Sequence, residues 1–285
     1  MADALPESVL SLIRAALAED VGDGDVTSEF FVPRDAMSVA RIVAREPGIA
    51  AGGHVAAQVF LEVDARLTVK TEKEDGAPFA QGEVLLTVAG PTESILTGER
   101  VALNFLQRLC AIATQTKRYV DAVQPHPVKV LDTRKTTPGW RWLEKTAVRS
   151  GGGTNYRMGL YDQVMVKDNH LLADDRLEDL QKAIDKVKVA RPGVKVELEA
   201  DTLDQVSRFL TLRGVDIILL DNMRPAQLRQ AVELVKGRVF LEASGGITLD
   251  TINEVAATGV NAISVGALTH TVRAMDLSLE LEAAG

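Results

Sequence analysis

The spacing of apolar residues divides the chain into stretches that predict different secondary structure. Between Ser8 and Glu19 the apolar residues recur at helical spacing, which predicts a helix. The segment EDVGDGDVTS (residues 19–28) is rich in glycine and aspartate and predicts a loop. Between residues 38 and 88, short β-branched segments separated by glycines predict a small antiparallel sheet, with strands in SVARIVA, RLTVK and EVLLTV.

A long helical segment follows at residues 92–123. Its apolar stripe is formed by regularly spaced residues: Val101, Phe105, Leu109 and Ile112. We place a domain boundary within this helix, which gives an N-terminal domain of residues 1–112 and a second domain of residues 113–274. The tail, residues 275–285, could return to the N-terminal domain.

Beyond Pro127, strand-like and helix-like segments alternate regularly. The candidate strands are VKVLD (128–132), QVMVK (163–167), VKVELEA (194–200), VDIILLD (215–221), RVFLEAS (238–244) and NAISVG (261–266). The helical patterns between them are WRWLEKTAVR, LEDLQKAIDKVKVA, LDQVSRFLTLR, PAQLRQAVELVK and LDTINEVAATG. This order predicts parallel strands joined by crossover helices, in a doubly wound sheet or a barrel.

The ends of these strands favour the barrel. Nearly every strand ends in a polar or glycine residue that could take part in chemistry: Asp132, Lys167, Glu199, Asp221, Ser244 and Gly266. In an α/β barrel such ends converge on one mouth, whereas a doubly wound sheet uses only its switch-point crevice. Because the predicted strands are fewer than the usual eight, we expect a small or incompletely closed barrel.

Charge is distributed unevenly along the chain. The net charge of -8 and pI of about 5.2 argue against a nucleic-acid partner. Residues 132–170 nevertheless carry a dense set of cations: Arg134, Lys135, Arg141, Lys145, Arg149, Arg157 and Lys167. Together with three consecutive glycines at 151–153, they predict a pocket for a multiply anionic small molecule. Arg141, Lys145 and Arg149 are spaced by four on a helix, so we expect them on its solvent-exposed face.

Other features of the sequence exclude whole classes of protein. The single cysteine, Cys110, rules out an intrachain disulfide, and its apolar helical surroundings predict burial. The four histidines are far apart and show no metal-ligand spacing. We find no signal-peptide pattern and no apolar run long enough to span a bilayer. We therefore expect a cytoplasmic protein without a membrane partner.

The predicted mouth combines three kinds of ligand group. Cations suited to carboxylates or phosphates are Arg134, Lys135, Arg157 and Lys167. Glu199 and Asp221 could bind sugar hydroxyls or hold Mg²⁺ through its waters, and Glu197 is a close rival because it shares the strand face of Glu199. The turns at Ser244–Gly246 and Gly266 offer backbone N–H groups to a phosphate. The combination predicts a phosphorylated sugar that binds beside a second anionic substrate.

Several motifs in this region resemble one known family. They are DTRKTTPG (132–139), EKTAVRSGGG (144–153), NYRMGL (155–160), KDNH (167–170), LLDN (219–222), SGG (244–246) and VGALTH (265–270). In them the chain resembles the quinolinate phosphoribosyltransferase family, also called nicotinate-nucleotide pyrophosphorylase (carboxylating). The segments EDVGDGDVTS (19–28) and GERVALNFL (98–106) also resemble this family, so the resemblance extends from about residue 17 to residue 275.

The resemblance implies both a fold and a reaction. The fold is an N-terminal α/β sandwich followed by an open α/β barrel, in a homodimer with shared active sites. The enzyme is a glycosyltransferase of the pentosyltransferase class, and its cofactor is Mg²⁺. Quinolinate and phosphoribosyl pyrophosphate give nicotinate mononucleotide, pyrophosphate and CO₂, a step of de novo NAD biosynthesis.

The resemblance also implies roles for individual residues. Arg134, Arg157 and Lys167 would bind the quinolinate carboxylates, and Lys135 and Lys167 would neutralise the pyrophosphate. Glu199 and Asp221 would hold the ribose hydroxyls and Mg²⁺, and Ser244, Gly245, Gly246 and Gly266 would bind the 5′-phosphate. Arg100 would come from the partner subunit. Thr154 stands where a histidine or alanine is common in the family, and Tyr156 stands where a histidine is usual. The second departure matters more, because Tyr156 could donate a hydrogen bond without carrying a positive charge.

Two other functions are compatible with the sequence pattern. A class I aldolase-like barrel would use Lys167 as its Schiff-base lysine, which requires an apolar setting. A non-enzymatic barrel could bind a phosphorylated metabolite as a sensor. We expect His170 and His270 to have structural roles near the mouth.

Overall fold

The computed structural model describes residues 4–167 and 177–283. The chain forms two compact units. The first contains Met1–Lys117, Thr136–Gly152 and Thr271–Gly285, and the second contains Arg118–Lys135 and Gly153–His270. His170, for which we expect a structural role, lies outside the described residues.

The predicted strands and helices occur in the predicted order, with further short elements among them. Up to the long helix the elements are α1 (Glu7–Val21), α2 (Val26–Phe31), β1 (Met37–Ala44), β2 (Gly48–Ile49), α3 (Gly53–Val63), β3 (Thr68–Thr71), β4 (Pro78–Phe79), β5 (Val84–Pro91) and α4 (Thr92–Ala122). The later elements are β6 (Lys129–Leu131), α5 (Arg141–Ser150), β7 (Gln163–Val166), α6 (Leu177–Ala190), β8 (Lys195–Ala200), α7 (Leu203–Phe209), β9 (Ile217–Asp221), α8 (Pro225–Val235), β10 (Phe240–Ser244), α9 (Ile252–Ala256), β11 (Ala262–Ser264), α10 (Ala267–His270) and β12 (Leu277–Ala283).

The first unit is built on a four-stranded antiparallel sheet in the order β12-β1-β5-β3. Along β1, Ala40, Ile42 and Ala44 are fully buried, because alternate side chains of a strand point to the same face. Helix α3 packs against this sheet and against α1. Helices that cover one face of an antiparallel sheet confirm the predicted N-terminal α/β sandwich. The strand β12, from residues 277–283, pairs with β1 at the edge of this sheet.

The second unit is built on a six-stranded parallel sheet in the order β6-β11-β10-β9-β8-β7. All six predicted strands are present, and most of their apolar residues are buried, as expected for strands covered on both faces. Those of the edge strand β7 are only partly buried. The register places Asp221 of β9 opposite Ser244 of β10, and Glu199 of β8 opposite Leu219 of β9. The polar strand ends therefore lie along one edge, and the sheet is an open barrel, as predicted.

The loop predicted at residues 19–28 is wrong in its second half, where α2 begins at Val26. Asp25 is the N-cap of this helix, and its carboxylate accepts a hydrogen bond of 3.0 Å from the Ser28 backbone N–H. The same aspartate that indicated a loop thus starts a short helix. Only the segment around Gly22 and Gly24 connects α1 to α2.

Helix α3 lies in a region for which the sequence predicts strands and turns only. Its buried side chains recur at helical spacing: Val55, Ala56, Val59 and Phe60. The β-branched residues and the flanking glycines indicate strands and turns locally. The segment is nevertheless a helix, because its apolar face is buried against α1 and the sheet.

Helix α5 corrects the expectation that Arg141, Lys145 and Arg149 form a solvent-exposed face. Arg149 is exposed and Arg141 is partly buried, but Lys145 is only 1% exposed. The neighbouring Glu144 is fully buried, and Arg108 Nη2 donates to its carboxylate at 2.7 Å. A buried carboxylate needs such a partner, so this charged helix contributes to the interior of the first unit.

Cys110 is fully buried in α4, as predicted. Burial raises the pKa of its thiol to about 12, so the thiolate that would make it reactive is not formed near neutral pH. None of the described helices has the length and apolar character needed to cross a membrane.

Candidate active site

A cavity of about 720 Å³ opens at the carboxyl ends of the parallel strands in the second unit. The predicted site residues that line it are Arg134, Lys135, Tyr156, Arg157, Lys167, Glu199, Asp221, Ser244, Gly245, Gly246 and Gly266. The structure thus brings together basic, acidic and glycine-rich segments that are up to about 130 residues apart in the chain. Arg100, the remaining predicted site residue, is not among the residues that line this cavity, and it is exposed on α4.

The basic side of the cavity is held in place by local contacts. Arg157 Nη1 donates to the Gln163 carbonyl at 3.1 Å, and its Nη2 lies 3.4 Å from the sulfur of Met165. Its buried Nε has no hydrogen-bond partner among the residues that the structure describes. Thr269 Oγ1 donates to the Lys135 carbonyl at 2.6 Å and so fixes the backbone of the DTRKT loop. These contacts orient two cations towards the cavity before a ligand arrives.

Tyr156 is anchored at both of its ends. Its backbone N–H donates to Asp132 at 2.8 Å, and its hydroxyl donates to the buried carboxylate of Glu197. Gln163 Nε2 donates to the same carboxylate at 2.5 Å. Burial and then the negative charge of Glu197 raise the pKa of the Tyr156 hydroxyl far above its usual value. The hydroxyl is therefore a fixed donor that is already used within the protein.

The acidic side of the cavity comes from β8 and β9. Lys167 Nζ donates to Glu199 Oε2 at 2.5 Å, and Asn222 Nδ2 donates to Asp221 Oδ2 at 2.6 Å. Each carboxylate has a second oxygen that these two hydrogen bonds do not use. Among the described residues, no group of three or more metal-ligating side chains forms a ready-made metal site. Two carboxylates suit a Mg²⁺ ion that keeps waters and is shared with substrate phosphates.

The SGG turn after β10 is tightly packed against the turn after β9. Asn222 adopts a positive φ of 54°, and its backbone N–H donates to the Ser244 carbonyl at 2.9 Å. A Cβ at Gly245, which has a φ of +99°, would lie 2.2 Å from Asn222 Oδ1 and 2.8 Å from the Asn222 backbone nitrogen. Only glycine fits this position without moving the Asp221–Asn222 turn.

We expect Gly245→Ala to raise the KM for the phosphorylated substrate by about 10-fold or more, because the added methyl group displaces a turn that carries Asp221. Gly237→Ala is the matched control, since Gly237 also has a positive φ of 73° but has open space around its Cβ position. Steady-state kinetics of both variants test this expectation. A Gly245→Ala enzyme with the same KM as the Gly237→Ala enzyme would contradict it.

Some cavity residues were not singled out as site residues from the sequence. Glu242, Asn222 and His270 all line the cavity. Glu242 lies two residues before Ser244 on β10 and so shares its strand face, which is a signal that the sequence already contained. His270 was expected to have a structural role, yet it is exposed and faces the ligand space beside Gly266.

An open parallel barrel with cations, carboxylates and a glycine turn around one cavity defines a protein that binds polyanionic, phosphorylated ligands at its strand ends. Comparison with known families gives a more specific identification. The model of the quinolinate phosphoribosyl transferase N-terminal domain matches residues 25–110, and that of the C-terminal domain matches residues 112–280. The chain therefore belongs to the quinolinate phosphoribosyltransferase family, as its motifs predicted.

Individual relatives agree with this assignment. The chain is 42% identical to quinolinate phosphoribosyltransferase (decarboxylating) 1b of Nicotiana tabacum, over 95% of the chain and 81% of that protein. It is 41% identical to the probable nicotinate-nucleotide pyrophosphorylase (carboxylating) of Bacillus subtilis (strain 168), over 95% of the chain and 92% of that protein. The structure of the nicotinate-nucleotide pyrophosphorylase from Francisella tularensis matches with a TM-score of 0.91 and 36% identity, over 98% of both chains.

Proposed function

We propose that this protein transfers the phosphoribosyl group of phosphoribosyl pyrophosphate to quinolinate with loss of a carboxylate, giving nicotinate mononucleotide, pyrophosphate and CO₂. The reaction belongs to NAD biosynthesis. Membership of the family over both domains supports it. The structural observation that carries it is the shared cavity, in which Lys167 and Asp221 face the same ligand space.

Quinolinate carries two carboxylates, and the basic side of the cavity is the place for them. Arg134, Arg157 and Lys167 bind these carboxylates, because guanidinium and ammonium groups form the strongest hydrogen bonds with anions. Since the Tyr156 hydroxyl donates to Glu197, Tyr156 lines the quinolinate site with its ring and does not donate a hydrogen bond to the substrate. Lys135 lies on the exposed side of the group and is suited to the pyrophosphate.

Phosphoribosyl pyrophosphate lies on the acidic and glycine-rich side. Glu199 and Asp221 hold the ribose hydroxyls, and the turns at Ser244–Gly246 and Gly266 bind the 5′-phosphate through backbone N–H groups. The same two carboxylates would hold Mg²⁺ through its waters, where the ion supplies positive charge to the departing pyrophosphate. Lys135 and Lys167 add to that charge.

The arrangement suits a reaction controlled by charge. Breaking the bond between ribose and pyrophosphate places positive charge on the sugar, next to the acidic pair, and negative charge on the leaving group, next to the lysines. The pyridine nitrogen becomes positively charged once it is ribosylated. That charge stabilises the electron pair left behind when CO₂ departs, so orientation matters more than a strong base.

The setting of Lys167 disfavours the aldolase alternative. A Schiff-base lysine requires a desolvated, apolar environment. Lys167 instead pairs with Glu199 at 2.5 Å, and 44% of its side chain is exposed. An ion-paired and hydrated lysine is suited to binding an anion.

A product assay tests the proposed function. Purified protein is supplied with phosphoribosyl pyrophosphate and Mg²⁺, and either quinolinate or nicotinate is offered as acceptor. We expect nicotinate mononucleotide and CO₂ from quinolinate, and a rate with nicotinate at least about 10-fold lower, because nicotinate lacks one of the carboxylates that the cations bind. Absence of product from quinolinate, or equal rates with both acceptors, would refute the proposal and leave a metabolite-binding role.

The proposal extends to the assembly of the enzyme. The protein acts as a homodimer in which Arg100 of each subunit completes the quinolinate site of the other. The exposure of Arg100 on α4 supports this arrangement, because an exposed arginine can reach a second molecule. We also propose that the enzyme acts in the cytoplasm.

A further inference from the structure

A second cavity, of about 210 Å³, lies at the opposite ends of the parallel strands. The first residues of five strands line it: Lys129 of β6, Gln163 of β7, Lys195 of β8, Ile217 of β9 and Phe240 of β10. Both lysines are exposed, so this cavity reaches solvent at a place other than the mouth of the active site. It has no role in the function proposed above.

The two cavities share three lining residues: Tyr156, Arg157 and Glu242. They therefore form the partition between the substrate space and the second cavity. Tyr156 holds its proton firmly, because its hydroxyl donates to Glu197 and its pKa is far above the usual value. A guanidinium does not lose its proton in a protein. Of the three, only the Glu242 carboxyl can gain and lose a proton near neutral pH.

The surroundings of Glu242 favour its protonated form. The residue is only 1% exposed, and Ser264 Oγ of β11 donates a hydrogen bond to its Oε1. Its Oε2 is buried and has no hydrogen-bond partner among the described residues. Burial first, and then the charge of Glu197, raise the pKa of Glu242 to about 8, against the opposing effects of the Ser264 hydrogen bond and of the Arg157 charge. Its pairing partner on β9, Leu219, is apolar.

The proposed reaction requires a proton at this place. When CO₂ leaves the ribosylated ring, the bond between C2 and the carboxyl carbon breaks and its electron pair stays on C2. A proton must then reach C2 to give nicotinate mononucleotide. The cations around the quinolinate are engaged with carboxylates and phosphates, whereas a neutral carboxylic acid in the wall of the cavity can donate.

We propose that Glu242 is the acid that protonates C2 after decarboxylation, an inference that depends on the proposed function. The O–H bond of Glu242 breaks as the C–H bond at C2 forms, which leaves Glu242 as a carboxylate. A hydronium ion or buffer acid from bulk solvent then gives a proton to Glu242 through the second cavity and restores the acid, so the group can be reloaded while nucleotide occupies the mouth. No oxidant or further reactant is required.

Glu242→Gln tests this role, because glutamine keeps the size and the hydrogen bond to Ser264 but has no proton to give. In single turnovers stopped by rapid quenching, pyrophosphate release reports phosphoribosyl transfer, and CO₂ and nicotinate mononucleotide report the later steps. We expect pyrophosphate release within several-fold of the wild-type rate and nicotinate mononucleotide formation slowed about 100-fold. Because the electron pair on C2 recaptures CO₂ until a proton arrives, undecarboxylated quinolinate mononucleotide should then accumulate.

Dependence on pH provides a second measurement. The acid form of Glu242 is lost as pH rises through its raised pKa, so wild-type formation of nicotinate mononucleotide should fall above about pH 8 while pyrophosphate release does not. This difference should be absent in Glu242→Gln. Glu242→Asp, which retains an acid, should recover part of the rate.

Matched controls separate the possible failures. Glu233→Gln on α8 removes an exposed carboxylate and should leave both steps unchanged. If wild-type enzyme makes no nicotinate mononucleotide, the proposed function fails. If wild-type enzyme is active and Glu242→Gln slows both steps equally, or neither, then Glu242 is not the proton donor.

Discussion

Replacing Arg157 with alanine is expected to lower kcat/KM for quinolinate by about 10²–10⁴-fold. The guanidinium is positioned by the Gln163 carbonyl at 3.1 Å and faces the substrate cavity. If it makes two charged hydrogen bonds to a quinolinate carboxylate, each is expected to contribute about 1.5–3 kcal/mol, and their sum gives this range. Because the truncation also leaves the substrate carboxylate without a partner, we expect both a higher KM and a lower kcat.

The control for this variant is Arg149→Ala. Arg149 comes from the same cationic stretch but is exposed on α5 and does not line the cavity, so its loss should change kcat/KM less than about 2-fold. Arg157→Lys keeps the charge but loses the two-pronged geometry and should be intermediate. Wild-type kinetics in Arg157→Ala would remove this residue from the site.

Mixing two inactive variants is expected to restore activity if the sites are shared between subunits. In the proposed dimer, each site takes Arg157 from one subunit and Arg100 from the other. A hybrid dimer of Arg100→Ala and Arg157→Ala subunits therefore contains one site with both arginines and one site with neither. With random exchange, half of the dimers are hybrids, and the recovered activity should approach about a quarter of the wild-type value. The measurement is product formation after the subunits have been allowed to exchange.

A mixture of Arg134→Ala and Arg157→Ala proteins is the matched control. Both residues line the same cavity of one subunit, so every site in a hybrid dimer still lacks one of them. No recovery is expected. If the Arg100→Ala mixture behaves like this control although hybrid dimers are shown to form, Arg100 does not complete a neighbouring site.

Much of the fold could be predicted because its main elements have strong periodic signals. Most of the six parallel strands are buried and appear as apolar runs, and α4 has a long regular stripe. Helices α2 and α3 were missed because they are short and depend on context. Asp25 suits a turn as well as an N-cap, and the β-branched residues of α3 suit a strand until the packing against α1 is known.

The active site was predictable where strand ends placed chemical groups, and less so where packing determines their roles. The position of Lys167 and Asp221 around one cavity follows from the parallel topology. The contact between Tyr156 and Glu197 joins residues that are 41 positions apart, and no local pattern shows it. The burial of Lys145 is a similar case, because charged residues spaced by four normally indicate a hydrated helix face.

The pairing of β12 with β1 has a consequence for how the protein is made. All of the parallel strands have been synthesised once the ribosome has added Ser264, whereas the antiparallel sheet still needs the strand at residues 277–283. The unit that begins first on the ribosome is therefore completed after the other unit has all of its strands. Until then, the edge of β1 that β12 will cover is open to association with other nascent chains, and this exposed edge is a site for aggregation.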